Sequence, residues 1–143
     1  MNSIAETILA RVLVALTGVT GAGNKVYRAR DDAFGPDDVK AINIRRTSTS
    51  AEVMIGRNDA LTVEWDIDCY VRGGEVETAA DELHMQAHAV LMADSTLAGL
   101  GRGLRCTGTS IETESADTRV AKLTARYQMK AFVTIDDLTT QLN

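Results

Sequence analysis

His84 and His88 stand four residues apart, and Asp81 precedes the first by three. On a helix all three project toward one face, the spacing used by helical metal ligands. The intervening residues are Met85, Gln86 and Ala87, so the glutamate that zinc proteases place beside the first histidine as general base is missing. Two solvated histidines on the polar side of a helix are the favoured reading. A small metal-dependent enzyme using Asp81, His84 and His88 is the distant alternative.

Glu64, Asp66 and Asp68 alternate along one segment and fall on one face if it is a strand, an arrangement that could hold a metal or an acid/base pair. The lysine that a strand-borne nuclease site requires does not follow them, and the solvent face of an amphipathic strand accounts for all three. Cys69 lies on the apolar side of the same segment with no histidine in register to activate it. Gly99, Gly101 and Gly103 form neither a dinucleotide fingerprint nor a phosphate loop, and read as turn glycines before a strand. Lys122, Arg126 and Lys130 share a face of the last strand, where they suit contact with nucleic acid, though few for it, or equally the protection of a sheet edge against aggregation. No complete catalytic set emerges, so the chain is read as a non-enzyme with no metal and no cofactor.

The elements that must carry these residues follow from periodicity. Ser3 and Glu6 have capping-box spacing, and Ile4, Ile8, Val12, Ala15, Leu16 and Val19 repeat at helical intervals, predicting a helix over 3–18. Short strands are expected over 25–30, 39–46 and 51–55, with 47–50 as a connector and 56–59 as a turn. Residues 61–72 alternate apolar and polar throughout, giving a half-buried strand with Trp65 at its centre. Thr78 and Asp81 are expected to cap a second helix that carries Ala80, Leu83, Ala87, Val90 and Leu91 and stops at Asp94 and Ser95. A strand over 104–112, a polar turn over 113–117 and a strand over 121–134 complete the pattern, with 136–143 as a final helical turn or a tail. The last strand is long against the usual ~5–6 residues, so it is expected to protrude from its own sheet. The fold class is α+β: a mostly antiparallel sheet with two helices on one face, in the order α-β-β-β-β-α-β-β.

The 143 residues suit one domain spanning 1–143, and 45% hydrophobic with 24% charged residues is ordinary for a globular chain. Twenty acids against 15 bases give a net charge of −5, with the bases scattered, which disfavours sequence-specific nucleic-acid binding. The two cysteines, Cys69 and Cys106, match neither a zinc module nor a disulfide scaffold and are expected to be reduced, buried thiols. No secretory pattern opens the chain and no apolar run reaches the ~18 residues of a membrane span. The loop over 31–38 holds the single proline and four acids, Asp31, Asp32, Asp37 and Asp38, around Phe34. That aromatic either contacts a partner or folds back onto the domain.

Several strings together resemble the tail terminator proteins of long-tailed bacteriophages, the family that includes the U protein of lambda-like phages. They are the capped first helix leading to Lys25-Val26-Tyr27-Arg28-Ala29-Arg30, the segment Ala41-Ile42-Asn43-Ile44-Arg45-Arg46, and the strand running from Leu61 to Val71. To these add the helix ending Leu91-Met92-Ala93-Asp94-Ser95-Thr96-Leu97-Ala98-Gly99-Leu100 and the long closing strand. Other phage neck, connector and tail-completion proteins of similar size share such strings. The resemblance implies a homo-oligomeric ring, commonly a hexamer, on the last ring of tail-tube protein. It stops tube growth and offers a surface to the head-tail connector. It also implies assembly in the host cytoplasm, a place at the head-proximal end of the virion tail, and a lumen through which DNA passes. The residues put forward for a subunit or partner interface are Asp31, Asp32, Phe34, Asp37, Asp38, Lys122, Arg126 and Lys130.

Overall fold

A computed structural model of the chain describes residues 2–31, 34–35, 37–115 and 118–139. Helix α1 is Ile4–Leu16, followed by strands β1 Val26–Arg28, β2 Lys40–Val53 and β3 Asn58–Arg72. Helices α2 Val76–Ala93 and α3 Ser95–Ala98 then precede β4 Arg102–Ser115 and β5 Arg119–Thr134. The strands form one sheet in the order β1-β2-β3-β5-β4. All neighbours are antiparallel except the three-residue β1, which runs parallel to β2. The α+β architecture expected from periodicity is therefore present.

Ser3 caps α1, its hydroxyl oxygen accepting from the Glu6 N–H at 3.2 Å. The Glu6 side chain does not return to Ser3 as a capping box would; it accepts from Arg28 on β1 instead, at 3.0 and 3.2 Å, tying the helix to the sheet. α1 buries Ile4, Ala5, Ile8, Leu9, Val12, Ala15 and Leu16. Burying each of its larger aliphatics is worth roughly 1.5–3 kcal/mol. α2 buries Val76, Ala80, Leu83, Ala87 and Leu91 along one stripe and packs on β3 and β5. Opposite it, Val63, Trp65, Ile67, Cys69 and Val71 of β3 and every second residue of β5 from Ala121 to Val133 complete one core. Trp65 is fully buried and stacks on Tyr127, with centroids 6.0 Å apart and planes 12° from parallel.

Several local expectations change. α2 begins at Val76 with Glu75 at its N-cap and no side-chain capping bond, so Thr78 and Asp81 do not cap it. Asp94 ends α2 and caps α3, accepting from the Thr96 and Leu97 N–H groups. The two strands expected on either side of 47–50 are one strand, because β3 pairs with all of β2 and the irregularity is absorbed as a register shift between Arg46 and Ser48. β4 runs on through Thr113, Glu114 and Ser115, so those residues form no turn, while 116 and 117 lie outside the described residues. The closing strand β5 does not protrude: β3 pairs with it from Asn58↔Thr134 to Arg72↔Val120, and β4 flanks its other side. Strand length signalled a long central partner here, because a long strand is equally accommodated by long neighbours. Cys69 is buried, but Cys106 is half-buried; both are free thiols. Among the described residues no helix is long and apolar enough to cross a membrane.

Candidate functional site

The helices cover one face of the sheet, and the other face carries the charged residues singled out by spacing. On it β3 places Glu64, Asp66 and Asp68 side by side with residues of β2 and β5. Asp66 and Asp68 are each only 5% exposed, although this is the uncovered face. Arg45, from β2, lies across both: its Nε donates to Asp68 Oδ2 at 2.7 Å and its Nη2 reaches Asp66 Oδ2 at 3.4 Å. Arg126 Nε meets Asp66 Oδ1 at 3.3 Å, and the Thr124 hydroxyl donates to Asp68 Oδ1 at 2.8 Å. The carboxylates are thus consumed by cross-strand ion pairs and hydrogen bonds, which is what permits their burial. Ser48 donates to Glu64 at 2.7 Å. Lys122 faces Glu112 of β4 at 3.8 Å, and Lys130 is exposed. The three basic residues on β5 therefore occupy the middle of the uncovered face and guard no sheet edge.

Phe34 folds back. Its ring lies 5.8 Å from that of Tyr27 and 4.8 Å from that of Tyr70, and the Arg30 guanidinium sits 4.5 Å from its centroid. It closes the β1–β2 end of the uncovered face, where Asn43, 5% exposed, holds the loop by exchanging hydrogen bonds with the Arg30 backbone. Asp38 accepts from Lys25 and from the Gly35 N–H, which together hold its carboxyl below the ordinary carboxylate value. Asp31 and Asp37 are exposed, and Asp32 lies outside the described residues.

The two histidines are not merely solvated. His84 Nε2 and His88 Nδ1 each lie 2.8 Å from the Tyr127 hydroxyl, which α2 covers from above. Burial, then the neighbouring His88, pushes His84 below the ordinary histidine value. Burial likewise pushes the Tyr127 hydroxyl well above its ordinary range. Asp81 is exposed and makes no third ligand with them; among the described residues no group of three or more His, Cys, Asp or Glu side chains is placed to hold a metal. Burial, with the Asp68 charge adding to it, raises the Cys69 thiol to about 12, so it stays protonated at neutral pH.

What spacing did not reveal is the state of the sheet's two edges. β4 pairs only with β5 among the described residues, and almost every one of its fourteen residues is exposed on whichever face it points to. At the opposite edge, β1 covers β2 only at Ile42, Asn43 and Ile44. Among the described residues nothing pairs with the rest of that edge, to Val53, which is exposed from Arg46 onward and ends in Val53, Met54 and Ile55 at 82%, 44% and 94% exposure. A signal for both was present: 47–53 and 107–115 are rich in serine and threonine and lack apolar alternation, the composition of a strand buried on neither face. Beside the irregularity between Cys106 and Gly108 in β4, a depression of about 300 Å³ is lined by Thr107, Gly108, Thr109, Ser110, Thr124 and Arg126. No protein-family model matches the chain, and no curated protein matches it in sequence.

Proposed function

We propose that this chain is a structural virion assembly protein: a subunit of a homo-oligomeric ring, of about six copies by its resemblance to tail terminators, that caps a phage tail tube. It stops tube growth and presents a surface to the head-tail connector. The observation that supports this best is the open edge strand β4, fourteen residues long and exposed on both faces. A long bare edge is a liability in an isolated domain and is ordinarily blunted or covered, so its retention suits a chain that meets other chains. The resemblance set out above supports the same reading. So does the occupation of the best-spaced acids and histidines by Arg45, Arg126, Thr124 and Tyr127, which leaves surfaces as the working parts. The acidic loop carrying Asp31 and Asp37 belongs, on this reading, beside a subunit contact or the lumen, where negative charge repels DNA phosphates and lets a genome pass.

Deleting the gene from the phage that encodes it tests the reading. Electron microscopy should then show unjoined heads and tails of irregular length. Normal infectious particles would overturn the proposal, and tails of correct length that fail to join would point to a neck or connector protein.

A further inference from the structure

The two open edges match each other. Strands β2, β3, β5 and β4 alternate in direction across the sheet. A second copy that sets its β2 beside this β4 therefore continues the antiparallel alternation. We infer that copies join head to tail by sheet continuation, the outer half of β2 in one copy adding to the outer edge of β4 in the next. The inference rests on the ring reading above and names the surfaces that close it.

Three features select the second copy as the occupant. The first is hydrogen bonding: among the described residues nothing pairs with the outer half of β2 or the outer side of β4, and the backbone N–H and C=O groups of each satisfy the other's. The second is charge. In β2 the basic residues Arg45 and Arg46 precede the acidic Glu52, while in β4 the basic Arg102 and Arg105 precede the acidic Glu112 and Glu114. Antiparallel pairing brings the basic end of each strand to the acidic end of the other.

The third is register. β2 carries one irregularity, between Arg46 and Ser48, and β4 two, between Arg102 and Arg105 and between Cys106 and Gly108. With Glu52 opposite Arg105, Ala51 falls opposite Cys106. If the Arg46/Ser48 and Cys106/Gly108 irregularities each set one residue out of register, Thr49 then meets Thr109, Ser48 meets Ser110, and Arg45 meets Glu112. Every pair so formed points to the same face of the sheet, as cross-strand partners must. In one copy Arg45, Asp66, Arg126 and Gly108 form a row. Placing the next copy's Arg45 beside Glu112 shifts successive copies by roughly four residues over four strands, a slope of the size found in closed sheets. Two different surfaces joined this way make a heterologous contact, which rotation closes into a ring.

Cys106 makes the test direct. Chains carrying Ala51→Cys with Cys106→Ser are mixed with unaltered chains, assembled, and oxidised gently. The expected product is a disulfide-linked pair containing one chain of each kind, absent when the second chain carries Cys106→Ser. Charge provides a second arm: Glu52→Arg and Arg105→Glu should each weaken assembly at least tenfold alone, and the two variants mixed should recover part of it. Rings visible by electron microscopy without the mixed disulfide, or with links only between two Ala51→Cys chains, would overturn the edge pairing and leave the ring reading standing. No ring at any concentration, together with normal particles after gene deletion, would overturn both.

Discussion

Tyr127 has one hydroxyl proton and two imidazole neighbours at 2.8 Å, so it donates to one ring nitrogen and accepts from the N–H of the other. Both bonds are made with both rings neutral. Removing the hydroxyl by Tyr127→Phe leaves two half-buried imidazoles short of a partner and should cost about 1–3 kcal/mol in chemical denaturation. For the same reason His84→Ala with His88→Ala should destabilise the fold, which solvated histidines would not do. The pH dependence has a definite sign. The folded-state value of His84 lies below its ordinary 6.5, so the unfolded chain binds the proton more readily. This contribution to stability is whole above about pH 6.5 and is lost as pH falls through the folded value. Denaturation midpoints measured from pH 8 down to 5 should decline on the acid side, and that portion of the decline should vanish in the double histidine variant. Trp65→Ala, at the fully buried centre of β3, should cost on the order of 3–5 kcal/mol, enough to erase much of a domain's margin.

Among the elements, the route from α3 into β4 is held by one close approach. A Cβ built on Gly101 would lie 2.4 Å from the Lys130 carbonyl oxygen of β5, which is backbone and cannot step aside. Gly101→Ala should therefore displace the start of β4 and lower stability by about 1–3 kcal/mol, read as a shift in thermal midpoint. On the uncovered face, Arg45 joins β2 to β3 through Asp68, and Asp68 also accepts from Thr124 of β5. Asp68→Ala removes the acceptor shared by three strands and should cost about 1.5–3 kcal/mol, the value of hydrogen bonds to a charged group. Asp68→Asn keeps one acceptor oxygen and should cost less.

For the whole molecule, the outer parts of the sheet are stable only as far as their neighbours hold them. The distal half of β2 and nearly all of β4 are exposed, so their backbone amides should exchange hydrogen much faster than those of β3 and β5 in the isolated chain. On assembly the same two segments should become protected, which mass-spectrometric exchange measures peptide by peptide. Exchange that stays fast in rings would place the subunit contact elsewhere. Replacing the exposed Asp31 and Asp37 by asparagine should leave the fold intact, as substitutions at exposed positions usually do. Phe34→Ser should loosen the β1–β2 end of the uncovered face, because it removes the ring packed on Tyr27 and Tyr70. Thermal melts of the two variants separate the loop's charge from its packing.

The sequence by itself determined the parts whose pattern is local. Alternation over 61–72 and 121–134 specified two strands and the face each buries, because side chains on a strand alternate with a period of two. Ser3 with its helical apolar repeat specified α1, and Trp65 followed as a core residue from Val63 and Ile67 sharing its side. Only the tertiary structure decided which strands lie inside the sheet and which at its edges, since strand order is set by pairing between segments distant in the chain. It also decided that Arg45 neutralises Asp66 and Asp68, that Tyr127 engages both histidines, and that Phe34 turns inward. Each of these brings together at least one pair of residues twenty or more positions apart, such as Phe34 and Tyr70, whose meeting depends on register across strands and on how α2 is set down upon them.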